Sequence, residues 1–189
     1  MRRSLAAMLS APAIVFLAPA PVLGAQTYLR EADAARAMFP ESTASVRKTL
    51  DLSDAEVAGI SKALGRRIEM RSYPYLEVRA EKGLAGIIVI LDVLGESQPI
   101  TFAVGITVAG ALQDVQVMVY REPQGEAIHE KRFRKQFVGK RSNDPITLDK
   151  DIDAISGATI SSRSATFAAR KGLLLGDVLR SRAAVGSKP

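Results

Sequence analysis

Ala85-Gly86-Ile87-Ile88-Val89-Ile90-Leu91-Asp92-Val93 is a continuous apolar run broken by a single charge. A short run of this kind, bounded by turn residues, reads as a β-strand. Lys82-Gly83 stands before it and Gly95-Glu96 after it. Upstream, the period becomes two from Ile68, and Tyr75 to Ala80 alternates. Downstream, Ile100 to Thr107 and Leu112 to Tyr120 read as two more strands, with Ala109-Gly110 as the turn between them. Connections this short join antiparallel neighbours. Further out, Leu29, Ala32, Ala35 and Phe39 recur at helical spacing until Pro40, and Ser45 to Leu50 looks extended. Ser53 stands three residues before Glu56 at the head of an apolar run, the signature of a capping box. The helix it opens, Asp54 to Leu64, stops at Gly65. Glu126 to Phe137 is charged and reads as helical, and Ser142 to Lys150 reads as a loop carrying Pro145. A last helix is expected from about Ser161 to Arg180, with Ala165, Ala168, Gly172, Leu175 and Leu179 on one face. The order helix, helix, strands, helix predicts an α+β fold, an antiparallel sheet with flanking helices in a single domain.

The chain of 189 residues is 47% hydrophobic, which supports a sizeable core. It has no Cys, and therefore no thiolate metal site, iron–sulfur cluster, c-type haem or disulfide. His129 is the one histidine, so no multi-histidine metal site is available within one chain. No metal ligands and no catalytic residues are assigned. Redox chemistry here would need an organic cofactor.

Met1-Arg2-Arg3, the uncharged stretch Leu5 to Leu23 and the small residues Gly24-Ala25 read as a signal peptide over residues 1–25. The competing reading is an uncleaved membrane anchor, which Pro12, Pro19 and Pro21 weaken as a continuous helix. Either way the expected location is periplasmic. Without residues 1–25 the formal charge falls from +6 to +4, 24 cations against 20 anions. Lys131, Arg132, Arg134, Lys135, Lys140 and Arg141 concentrate the surplus. These charges are either a solvated face or a surface for an anionic cofactor or redox partner. Export argues against nucleic acid as a partner.

Asp153-Ala154-Ile155-Ser156-Gly157-Ala158-Thr159 precedes the last predicted helix. Gly157 lets the backbone approach a bulky group and Ala158 keeps that approach clear. The N–H groups that follow favour an anion. Thr159 offers a hydroxyl beside it, and Ser161 and Ser162 add others. The same string also suits an ordinary N-capped helix rich in Ser and Thr.

The string Asp-x-x-Ser-Gly-Ala-Thr at Asp153 to Thr159 resembles the flavinylation motif of the FMN-binding domain family. That family includes the FMN-carrying subunits of the sodium-pumping quinone reductase and of the related Rnf complex. Tyr120-Arg121-Glu122, Gln136-Phe137-Val138-Gly139-Lys140 and Asp151-Ile152 resemble the family's small stand-alone members. The resemblance implies covalent FMN, joined as a phosphoester to Thr159 by a flavin transferase. It implies that Ser156 and Gly157 shape the turn and that Ala158 leaves room for the transferase. Asp153 is then a recognition residue, or else a plain loop carboxylate. Tyr120, Phe133 and Phe137 are candidates for the wall of the flavin ring, with core packing as their alternative. Lys140, with Arg141, is a candidate to favour the anionic reduced flavin. The boundaries expected are 1–25 signal peptide, 26–66 N-terminal helical segment, 67–182 FMN-binding domain and 183–189 flexible tail.

Three functions fit these residues: an electron carrier between an unidentified donor and acceptor, with membrane-bound or soluble partners both open; a flavin-dependent periplasmic reductase or its flavin subunit; and a flavin-free module that holds another anion. No paired acid–base residues look built for substrate chemistry, which ranks the carrier ahead of the enzyme.

Overall fold

The structure is a computed structural model that describes residues 24–186. The predicted signal peptide lies almost wholly outside the described residues. The elements are β1 (Gln26–Thr27), α1 (Glu31–Met38), β2 (Ser42–Asp51), α2 (Asp54–Leu64), β3 (Ser72–Ala80), β4 (Gly83–Leu94), β5 (Pro99–Thr107), β6 (Leu112–Tyr120), α3 (Lys131–Arg134) and α4 (Thr159–Gly186). Single 3-10 turns, Glu126–His129 and Lys135–Phe137, flank α3. The strands form one six-stranded sheet in the order β1-β6-β5-β4-β3-β2. Every pairing in it is antiparallel. The fold is therefore α+β, as the strand spacing predicts.

The apolar run in β4 has a simple cause: both faces of the sheet are covered. Val89, Leu91 and Val93 face the larger core, shared with α2 and α4. Ile88 faces a second core closed by Ala34, Ala35, Met38 and Phe39 from α1 and its end. With both faces dry, polar alternation disappears. The long helix α4 lies close on the sheet, since a Cβ at Gly172 would come within 2.6 Å of Val104 Cγ1. Strand β2 is an edge strand and mostly exposed, and Arg47 and Lys48 on it pair with Glu31 and Glu77. Charged edge strands of this kind resist pairing with other chains.

Three features differ from expectation. The segment 26–66, named helical, supplies one outer strand that was not expected, β1, while the other, β2, covers the stretch Ser45 to Leu50 that reads as extended. Glu126 to Phe137 is broken into three short turns of helix, with Ile128, Phe133 and Phe137 buried. The segment 183–189, expected as a flexible tail, continues α4 through Gly186. Ala183 and Ala184 are strong helix formers and extend it. The Ser53 capping box is present: the Glu56 N–H donates to Ser53 Oγ at 3.4 Å, and the Ser53 N–H to Glu56 Oε2 at 2.8 Å.

Candidate functional site

The string Asp153 to Thr159 forms the turn that starts α4. Gly157 has φ +77°, where a side chain would be strained, and the Ala158 N–H donates to the Ile155 carbonyl at 2.9 Å. The helix starts at Thr159 itself, two residues before the expected start. Ser162 explains the early start. Its N–H donates to the Ala158 carbonyl at 2.8 Å, and its Oγ accepts from the Ile155 N–H at 3.2 Å. Ala158 and Ser162 are buried, whereas Gly157, Thr159 and Ile160 are exposed. The N–H groups of a first helical turn have no partner within the helix, and they carry the positive end of its dipole. Thr159 therefore presents its hydroxyl at the open end of a long helix.

Ser161 fixes this end from below. Its Oγ lies 2.8 Å from Tyr120 Oη, and Tyr120 in turn donates to the Gln124 carbonyl. Gly125, at φ +92°, is required beside them, because a Cβ there would lie 2.6 Å from Ser161 Oγ. Burial raises the Tyr120 phenol above its usual pKa, more than the Ser161 contact lowers it. From the side, Glu122 holds the β4–β5 turn. Its carboxylate accepts from the N–H groups of Ser97 and Gln98 at 2.7 and 2.8 Å and from Ser97 Oγ at 2.9 Å. Burial pushes this carboxyl up, but the Gln98 and Ser97 N–H groups outweigh it and hold it below its ordinary value.

Two cavities flank the turn. One, of about 230 Å³, is lined by Glu96, Glu122, Gly125, Gly157, Thr159 and Ser161, among others. The exposed apolar Ile160 also lines it, and the carbonyls of Leu94 and Ile160 both accept from Ser164 Oγ, at 2.9 and 3.2 Å. The other, of about 350 Å³, is lined by Arg132, Phe133, Gln136, Asp153, Ile155 and Ser156. Gln136 grips Asp153 through its main chain: the Asp153 N–H donates to Oε1 at 2.7 Å, and Nε2 donates to the Asp153 carbonyl at 3.3 Å. The Asp153 side chain itself is exposed.

Residues 95–174 match the family model of the FMN-binding domain. Over these residues the chain is similar to an FMN-binding domain. The match begins at Gly95, in the turn held by Glu122, and ends at Leu174, midway along α4, so it encloses the whole site. Among solved structures the fold is similar to NqrC of Shewanella oneidensis, at 18% identity and a TM-score of 0.55, over 80% of this chain and 88% of that one. No curated protein matches the chain.

Within the matched segment, Gly157, Ala158 and Thr159 line one cavity, and Asp153 and Ser156 the other. The two groups meet across a single turn. Lys140 lines neither cavity. Its ammonium pairs with Asp151 Oδ2 at 2.8 Å, and both side chains are about four-fifths buried. Three other cations of the cluster are engaged, Arg134 with Asp114, Arg132 with Glu130 at 3.2 Å, and Arg141 with the Ala109 carbonyl at 2.6 Å, while Lys131 and Lys135 are exposed. Tyr120, Phe133 and Phe137 are core residues, with the two phenylalanine rings edge to face at 5.4 Å. His129 stacks on Tyr28 at 4.3 Å. Two supports have roles that their types alone do not reveal: Glu122 as the clamp of a turn, and Gln136 as the holder of the Asp153 backbone. Both lie in stretches that carry the family resemblance.

The residues at this site fit an FMN phosphate. The open helix end supplies N–H donors, the exposed Thr159 hydroxyl supplies an oxygen, and Gly157 has open space where a Cβ would stand.

Proposed function

We propose that this chain is an exported flavoprotein that carries FMN on Thr159 and relays electrons between partners outside the cytoplasm, at least one of them in the membrane. The observation that carries the reading is the position of Thr159. It is an exposed hydroxyl on the first residue of a long helix, inside the FMN-binding domain and beside a cavity. In this reading a flavin transferase uses FAD. Thr159 Oγ forms a bond to the phosphorus of the FMN moiety, the pyrophosphate bond to AMP breaks, and the hydroxyl proton leaves. Gly157 and Ala158 keep the approach to that oxygen clear, Ser161 and Ser162 fix the helix end, and Asp153, held by Gln136, presents its carboxylate to the transferase. The bound flavin supplies reversible electron transfer. A covalent tether suits an exported carrier, because it prevents loss of the cofactor by dilution.

Residues 1–25 act here as the export signal, and segment 67–182 as the flavin-carrying domain. The test is intact mass after co-expression with a flavin transferase. Wild type should gain the mass of FMN less one water, and a chain that gains nothing would overturn the reading.

A further inference from the structure

A third cavity, of about 440 Å³, lies where the end of α2 meets the middle of α4. Arg66, Arg67, Phe167, Lys171, Val93 and Leu94 line it, with Asp92 and Glu69 beside them. Lys171 stands out. It is only 8% exposed, and among the described residues its ammonium has no carboxylate and no hydrogen bond. Its partner is the face of Tyr73, 4.7 Å away. Lysines this buried are normally paired. Lys140, by comparison, is less buried and has Asp151. A second cation adds to the field, since the Arg66 guanidinium lies 5.4 Å over the ring of Phe167. Of the two acids, Asp92 accepts from Thr101 Oγ1 at 2.6 Å and Glu69 is exposed. Burial, and then Arg66, lower the Lys171 pKa, the electrostatic mark of a cation without a counter-charge.

We propose that this cavity binds a small planar carboxylate, an apolar ring bearing one carboxyl group. The carboxylate sits between Lys171 and Arg66, and the ring lies against Phe167 and Leu94. A planar guanidinium matches a carboxylate in two parallel hydrogen bonds, and an apolar wall beside a few polar groups is the usual form of a small-molecule site. Phe167 and Lys171, four residues apart, share one face of α4. The proposal does not rest on flavin attachment, since Lys171 lies twelve residues beyond Thr159, about 18 Å along the helix axis.

Calorimetric titration of the full chain with sodium benzoate, beside inorganic phosphate, tests it. Benzoate should saturate one site per chain, with the same affinity in wild type and in Thr159→Ala. Lys171→Met keeps the length of the buried stem and should weaken binding about tenfold or more. Arg66→Gln, at an exposed position, should weaken it by a smaller factor, and it carries the test alone if Lys171→Met does not fold. Absence of saturable benzoate binding, or unchanged affinity in the folded variants, overturns the proposal. Phosphate binding without benzoate binding also overturns it, because the ring would then have no part.

Discussion

The two ends of α4 are built on opposite principles. At the C-terminal end, Arg182 grips Glu56 with two nitrogens, at 2.6 and 3.0 Å, and also donates to the Asp51 carbonyl at 2.8 Å. Glu56 is at the same time the capping residue of α2, so one carboxylate ties two helices together. At the N-terminal end, Thr159 is exposed and its hydroxyl has no hydrogen bond among the described residues. Satisfaction at that end lies one layer down, at Ser161, Ser162 and Ser164. The difference teaches how this helix is used. Its far end is closed and structural, and its near end is held from beneath so that its surface stays open.

The largest expected effect breaks the comparison at the open end. Thr159→Ala should abolish covalent flavin entirely, read as intact mass, while leaving stability within about 0.5 kcal/mol, as for other exposed substitutions. If the variant keeps the added mass, the open end has another purpose. Next comes Glu122→Ala, which strips the β4–β5 turn of its acceptor. Leaving the Ser97 and Gln98 N–H groups without it should cost roughly 2–4 kcal/mol. That is a fall in Tm of about 5–10 °C for a chain of this size, measured by thermal denaturation. A Tm within about 2 °C of wild type would mean that water replaces the carboxylate and that the turn is not clamped.

At the closed end, Ser53→Ala should cost about 1 kcal/mol through loss of the cap, read by urea denaturation. The same end predicts a pH dependence. The Arg182 guanidinium, followed by the Ser53 N–H and hydroxyl, holds Glu56 at about 2, below its ordinary 4.5. A carboxyl depressed on folding stabilises fully above its unfolded value and loses that contribution as the pH falls through its folded one. Wild type should therefore lose stability between pH 4.5 and about 2, and Glu56→Gln should lose less over that range. Equal losses in both would place the acid-sensitive carboxylates elsewhere.

What was legible in the sequence was whatever depends on neighbours along the chain. The Ser53–Glu56 box, the Gly65 stop and the apolar run of β4 follow from local chemistry, and the Asp153–Thr159 turn has a glycine where φ must be positive. What was hidden depends on partners far away in the chain. Strand β1 is two residues long and exists because it meets β6 at Tyr120 and Val119, more than ninety positions on. The start of α4 at Thr159 is a local exception, set by the bonds of Ser162 to Ala158 and Ile155, which composition does not reveal. Lys171 reads as one more helix-surface lysine until α2 and β4 close over it. The cluster from Lys131 to Arg141 reads as a free positive surface, yet the carboxylates that engage Arg134 and Lys140 lie on β6 and in the loop before the motif.

Lys140 gives the smallest expected effect and the finest test of how local the open end is. From its sequence position a lysine just before the attachment loop would lie over the flavin, and neutralising it would lower the potential by some tens of millivolts. The structure gives it Asp151 at 2.8 Å and no place in either cavity beside the turn. A charge one Debye length from the ring, about 8 Å at physiological salt, contributes about 0.5 kcal/mol at the dielectric of water. For a two-electron couple that is on the order of 10 mV, before the opposite charge of Asp151 cancels most of it. Lys140→Met should thus shift the midpoint potential of the flavinylated protein by less than about 10 mV. The aspartate it leaves behind keeps the Thr147 N–H as a donor, at 2.6 Å, so the loop should hold. Redox titration of the variant beside wild type decides between the two accounts. A fall of tens of millivolts would mean that the lysine leaves Asp151 for the ring once flavin is attached. An unchanged potential would confine tuning to the groups that line the two cavities, with Glu96 and Arg132 as the next charges to neutralise.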